Sequence, residues 1–255
     1  TQRTGARRVR AYPSSDTHFF YRGSLSHFEF VLRGAAKVVE MYPEARDLVS
    51  VSFHCESPEL MTAWTKIIQE DRGLNNMEAY HLARPPHSEG LSVVIASYLA
   101  HAAGCPNINI LHLTSREAVE TALKMQQVFP DVNIGREATV GHLLLDLANA
   151  DTRAKVNPPI RTPEDRDFLW HALMSGKIDW VVTDHACCPT ELKFDPENRD
   201  NVWGGKSGFG GTEYLNSAEL GPALHHKDRS FIIPHSLPLI GLCGHRFTSK
   251  TIINT

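Results

Sequence analysis

Along this chain, short apolar runs rich in β-branched residues alternate with longer stretches whose apolar positions recur every three or four residues. The first rhythm predicts strands and the second amphipathic helices. The clearest run is Ile178, Trp180, Val181 and Val182, with Gly176 in front and Asp184 and His185 behind. It reads as a buried strand with an acid at its carboxyl end. Residues 47–54 alternate and then stop at His54-Cys55-Glu56, residues 107–112 form a third run ending in His112, and residues 132–137 a weaker fourth. Residues 5–12 read as a short strand closed by Pro13. Between these runs the spacing predicts helices over 25–41, 58–70, 89–103, 115–127, 142–148 and 162–175. Ser115 and Thr162 are placed as N-caps, Pro163 at a first helical position, and Gly104 and Gly176 as stops. Asn157-Pro158-Pro159 is a rigid loop, and 187–211 is loop-like with glycine turns. Beyond Gly221 the rhythm fails, because Pro234 and Pro238 interrupt the apolar stretch 230–242.

Strand and helix alternating in this way argue for parallel βαβ units in an α/β fold. Residues 1–221 are expected to form one domain of about five such units, and residues 222–255 an unassigned extension. Composition changes little: 42% hydrophobic and 22% charged residues are ordinary for a globular chain of 255 residues. A net charge of −3 gives no electrostatic reason to expect nucleic acid or an anionic membrane as partner. No apolar run reaches the roughly 18 residues that span a bilayer. Five scattered cysteines without a Cys-x-x-Cys pair suit a reducing compartment, so a cytoplasmic location is expected. The compositional oddity is 14 histidines, which directs attention to metal ligands.

Three predicted strands end in His54, His112 and Asp184. In a (β/α) barrel the strand carboxyl ends meet on one face, so residues distant in sequence come together. Two neutral imidazoles and a carboxylate suit zinc, which accepts nitrogen and oxygen and can keep a position open for water. Zinc lowers the pKa of bound water and polarises a carbonyl, and Asp184 beside it would take a proton and pass it to a leaving nitrogen. Each residue also has a plain structural reading: either histidine as a satisfied core residue, the aspartate as a turn cap.

The stretches Ser52-Phe-His-Cys-Glu56, His81-Leu-Ala-Arg-Pro-Pro-His-Ser-Glu89, Leu111-His-Leu-Thr-Ser115, Asn157-Pro-Pro-Ile-Arg161 and Thr183-Asp-His-Ala186 together resemble successive motifs of the cyclic amidohydrolases. That group contains dihydroorotase, allantoinase and dihydropyrimidinase (hydantoinase), and the resemblance runs from about Gly5 to Glu213. It implies a TIM-like barrel with a binuclear zinc centre that hydrolyses a cyclic ureide or imide in purine or pyrimidine catabolism, usually as a homo-oligomer. By the same resemblance His54 and His112 hold the second zinc, while Asp184 holds the first and acts as base and then acid towards an attacking metal-bound hydroxide. Asn157 contacts the substrate ring, Gly210 lies in a loop near the pocket, and His185 orients Asp184.

Departures from the family pattern are equally informative. The His-x-His pair of the family's first strand is missing, and about five of eight strands are present, so the chain reads as part of a longer barrel. Arg10 falls where many relatives carry a carboxylated lysine, and a guanidinium cannot form that carbamate. Cys187 and Cys188 follow Asp-His-Ala where dihydroorotases have Pro-His, which favours an allantoin- or hydantoin-like substrate. A scaffold that keeps the fold without catalysis fits the missing ligands and stays open, as does a thiol nucleophile at Cys187 or Cys188. Arg84 and Glu89 are expected to form a structural ion pair, and Glu137 and Thr139 either line the pocket or serve the fold. No partner is assigned to His81, His87 or His142, and His225-His226 read as a solvated helix end.

Overall fold

Five strands lie side by side in the order of the sequence, all parallel: β1 (Val9–Ala11), β2 (Val51–Phe53), β3 (Asn107–Ile110), β4 (Asn133–Thr139) and β5 (Trp180–Val182). The structure, a computed structural model, describes residues 9–11, 25–186 and 188–212. Strand order that never reverses belongs to a barrel wall; a doubly wound sheet would fold back on itself at a switch point. The crossovers are helical: α1 (Leu25–Met41); α2 (Pro58–Thr65), α3 (Met77–Leu82) and α4 (Pro86–Ala103); α5 (Arg116–Val128); then α6 (Val140–Leu144) and α7 (Pro163–Met174).

Alternation along the strands sorts residues between two faces. Val51, Phe53, Ile108, Ile110, Ile134, Ala138 and Val181 join the main core with Leu32, Val93, Ala100, Val119 and Leu169 from the helices. The opposite face carries the buried polar residues Ser52, Asn107, Asn109, Glu137 and Thr139. There Glu137 Oε2 accepts from Asn109 Nδ2 at 3.1 Å and from Trp180 Nε1 at 3.0 Å. Gly135 makes this possible, since a Cβ at that position would stand 2.5 Å from the Trp180 ring.

Caps fall where the sequence places them. Ser115 accepts from Ala118 N, Thr162 accepts from Asp165 N, and Gly104 and Gly176 adopt φ of +69° and +71°. Other boundaries differ. α4 begins at Pro86, three residues before Glu89, because proline is well suited to a first helical turn. The helix expected over 142–148 is instead Val140–Leu144, started by the Thr139 cap. It stops where the Asp146 side chain captures the amides of Ala148 and Asn149. The 58–70 helix passes from α-helix into a π-helix at Lys66–Asp71, and α3, capped by Asn76, has no counterpart in the apolar rhythm. A 3₁₀ turn, Thr190–Lys193, breaks the 187–211 loop. Cys187, His225-His226, the 230–242 stretch and the 222–255 extension lie outside the described residues. No helix of the described chain is long and apolar enough to cross a membrane.

Candidate functional site

β2 and β3 are hydrogen-bonded neighbours with Phe53 opposite Ile110, and Leu111 N donates to Phe53 O at 2.9 Å. His54 and His112 therefore leave the sheet at the same end. His54 Nδ1 stands 2.9 Å from His112 Nε2, and the two rings meet edge to face at 77°. On its other side His54 Nε2 lies 2.9 Å from Glu56 Oε2. Burial holds the His112 imidazole well below the usual histidine range, and the charges of His54 and His142 push it the same way. Burial pushes the Glu56 carboxyl up, but the hydrogen bond and charge of His54, helped by Arg84 and Arg161, turn the net shift downward.

Two features mark this end of the sheet as costly to build. Among the described residues, His112 (φ +35°) and Asp184 (φ +45°) are the two positions other than glycine with positive φ, and both follow a strand. Such conformations cost on the order of 1–3 kcal/mol each and persist where surrounding structure enforces them. Four buried side-chain atoms of the described chain lack a hydrogen-bond partner: Glu56 Oε1, Arg84 Nη1, Asn109 Oδ1 and His112 Nδ1. Each leaves roughly 1–3 kcal/mol of desolvation uncompensated.

Asp184 follows β5 at the same end of the parallel sheet. It is exposed at the end of β5, two strands from β3, and neighbouring strands are about 4.8 Å apart. Its charge reaches Glu137, whose carboxyl is pushed up first by burial and further by Asp184. Among the described residues no group of three or more His, Cys, Asp or Glu side chains could hold a metal ion. Of the expected cluster, His54 and His112 are in contact, and β4 lies between their strands and that of Asp184. For zinc the pair fits two ligand positions: both nitrogens point at one another, and the unpartnered His112 Nδ1 marks a ring not fully satisfied by protein. Tetrahedral ligand nitrogens sit about 3.3 Å apart, so the rings would separate by a few tenths of an ångström. Arg10 pairs through its backbone with Ser52, which places it on the strand beside His54.

The other expected site residues have partners of their own. His185 Nδ1 accepts from Gly211 N at 3.2 Å and lies 2.9 Å from Thr212 Oγ1, so this nitrogen ties the strand end to the glycine loop. Gly210 is exposed, and a Cβ there would come within 3.3 Å of the His185 ring. Asn157 Oδ1 accepts from Tyr80 Oη at 2.5 Å and from Arg84 Nε at 3.1 Å. An arginine nitrogen only donates, which identifies the oxygen and leaves the Asn157 amide nitrogen to donate elsewhere. The loop bearing Gly210 is held from beneath by Lys193, whose ammonium donates to the carbonyls of Lys155 (3.0 Å), Lys206 (3.0 Å) and Gly208 (2.7 Å). Thr139 and His142 serve the fold: Thr139 Oγ1 is 2.7 Å from His142 Nδ1, and His142 Nε2 donates to Pro158 O at 3.0 Å. Cys188 Sγ points to the backbone carbonyl of Pro189.

One pairing needs correction. Glu89 is bound by Arg161 (Nη2 to Oε2, 3.1 Å) and by Thr114 through both N and Oγ1, while Arg84 stacks over the Tyr80 ring at 3.8 Å. The α4 N-terminus turns Glu89 inward against the loop after β3, and Pro85 leaves Arg84 on the Asn157 side. Arg161 was invisible as Glu89's partner because 72 residues separate them. Glu56 had a signal, since residues two apart on extended chain share a side.

A parallel wall of strands in sequence order, with histidines meeting at its carboxyl edge, forms part of a TIM-type barrel of the amidohydrolase kind. Comparison with known proteins agrees. The chain is 32% identical over 180 residues to the allantoinase of Salmonella gallinarum (strain 287/91 / NCTC 13346), covering 69% of this chain and 37% of that protein. L-hydantoinase (dihydropyrimidinase) from Arthrobacter aurescens superposes with TM-score 0.66 at 24% identity, over 79% of this chain and 42% of that one. A dihydroorotase from Saccharomyces cerevisiae, solved in complex with 5-fluoroorotic acid, superposes with TM-score 0.52 at 17% identity, over 85% and 55%. No protein-family model matches. The chain belongs to the cyclic amidohydrolase family, and it spans 37% of the length of the curated relatives it matches.

Proposed function

We propose that this chain carries part of the active site of a zinc-dependent hydrolase that opens a cyclic amide or ureide. The observation that supports this most is the convergence of His54 Nδ1 and His112 Nε2 from adjacent strand ends at 2.9 Å. In this reading the imidazole pair holds one metal and Asp184 belongs to the place of the other. A bound zinc would lower the pKa of water and polarise the substrate carbonyl. The protein's own groups do the rest. Asp184, exposed at the end of β5, accepts a proton from the attacking water and returns it to the leaving nitrogen. Asn157, with its oxygen occupied by Tyr80 and Arg84, donates from its amide nitrogen to a ring carbonyl. Gly210, without a side chain beside His185, leaves room for the ring.

The substrate class is a neutral cyclic ureide of the allantoin or hydantoin kind, supported by the likeness to an allantoinase and by Cys187 and Cys188 in place of a Pro-His pair. The protein is expected to act as a homo-oligomer. The test is hydrolysis of allantoin, hydantoin and dihydroorotate by zinc-loaded protein, before and after chelation. Turnover of a cyclic ureide that chelation removes is the expected result. A protein that takes up no metal and turns over none of the three is a scaffold, and the proposal fails.

A further inference from the structure

We propose that Glu56 is a positioning residue that fixes His54 as the Nε2–H tautomer, so that its Nδ1 always presents a lone pair towards His112. The proposal rests on reading the two imidazoles as metal ligands, but its test does not depend on turnover. Two independent observations select the same direction for the chain of hydrogen bonds.

The first is the Glu56 contact. An ionised carboxylate only accepts, so at 2.9 Å the proton between Glu56 Oε2 and His54 Nε2 belongs to histidine. In a neutral ring the other nitrogen is then the acceptor, and the 2.9 Å contact to His112 is made by a proton on His112 Nε2. The second is the unpartnered atom. This arrangement leaves His112 Nδ1, buried and without a partner, as a bare lone pair. The opposite direction would leave an N–H stranded there and would turn a His54 lone pair towards the carboxylate. Buried donors without acceptors are the rarer and costlier defect. Polarity therefore runs from His112 to His54 to Glu56.

Ligand chemistry gives this polarity a use. A divalent ion needs the lone pairs of His54 Nδ1 and His112 Nε2, and a carboxylate behind a ligating histidine sets its tautomer and raises its basicity. Glu56 supplies that for His54 from a buried position, with 5% of its surface exposed. His112 has no such partner, so its proton must move from Nε2 to Nδ1 when an ion enters. The two histidines are thus predicted to respond differently to metal.

Long-range ¹H–¹⁵N correlation spectra of histidine-labelled, metal-free protein read the tautomers directly, with His54→Asn and His112→Asn as assignment controls. The expected spectrum shows His54 protonated at Nε2 with a bare Nδ1. Adding zinc leaves His54 unchanged and moves the His112 proton to Nδ1. Glu56→Gln, which keeps the size of the side chain, mixes the two His54 tautomers and lowers zinc affinity, measured by chelator competition, about 10- to 100-fold. A His54 protonated at Nδ1 in the parent, or tautomers untouched by Glu56→Gln, overturns the proposal. Failure of the parent to take up zinc while showing the expected tautomers supports the Glu56 assignment and defeats the hydrolase reading.

Discussion

At the scale of single residues, the informative positions are those where the chain accepts a local cost. His112 and Asp184 hold positive φ at strand ends. Asparagine tolerates the left-handed region, so Asp184→Asn is expected to leave the unfolding midpoint in urea unchanged. Turnover should fall roughly 10²- to 10⁴-fold, the range of a lost general base. Normal turnover in this variant would remove Asp184 from the reaction. Sequence made His54, His112 and Asp184 legible because each closes a β-branched run. It could not show that β4 lies between the strands that carry His112 and Asp184, since that is a property of strand order. Nor did any local pattern reveal Asn157's dependence on Tyr80 and Arg84, which lie 77 and 73 residues away.

Among the elements, buried charge ties the crossovers together where apolar packing alone would let them slide. Arg161 and Glu89, 3% and 1% exposed, join the Asn157 loop to α4, with Thr114 bonded to both. Removing one partner of such a pair strands the other, so Arg161→Met is expected to cost about 3–5 kcal/mol in urea unfolding. A loss below about 1 kcal/mol would mean that water reaches Glu89. The loop after β5 depends on Lys193 in a similar way. Lys193→Met should speed hydrogen exchange in the glycine-rich 204–211 segment and leave the amides of β2 and β3 slow. Equal protection in the variant and the parent would show that the three carbonyl contacts do not hold the loop. Helices with strong caps, such as α5 and α7, were readable to within a residue. α3 and the short α6 were not, because side-chain contacts from Asn76, Thr139 and Asp146 decide them and apolar period does not.

For the molecule as a whole, pH should act through its buried histidines. Burial pushes the His142 imidazole from 6.5 down to about 4, with Pro158 O opposing and Arg161 adding. The folded pKa is depressed, so the unfolded chain binds the proton more readily. His142's contribution to stability is therefore complete above the unfolded value and is lost as pH falls towards about 4. Between pH 7 and pH 5 this group alone accounts for about 2 kcal/mol. His142→Gln should flatten the pH dependence of unfolding by that amount, and an unchanged slope would contradict the assignment. The most direct test of the central claim, that neighbouring strand ends build a metal half-site, is a zinc-edge anomalous difference map from zinc-loaded crystals. A peak bonded to both His54 Nδ1 and His112 Nε2 is expected, with Glu56 still on His54 Nε2. A map with density elsewhere, and these two nitrogens still hydrogen-bonded to each other, would contradict it.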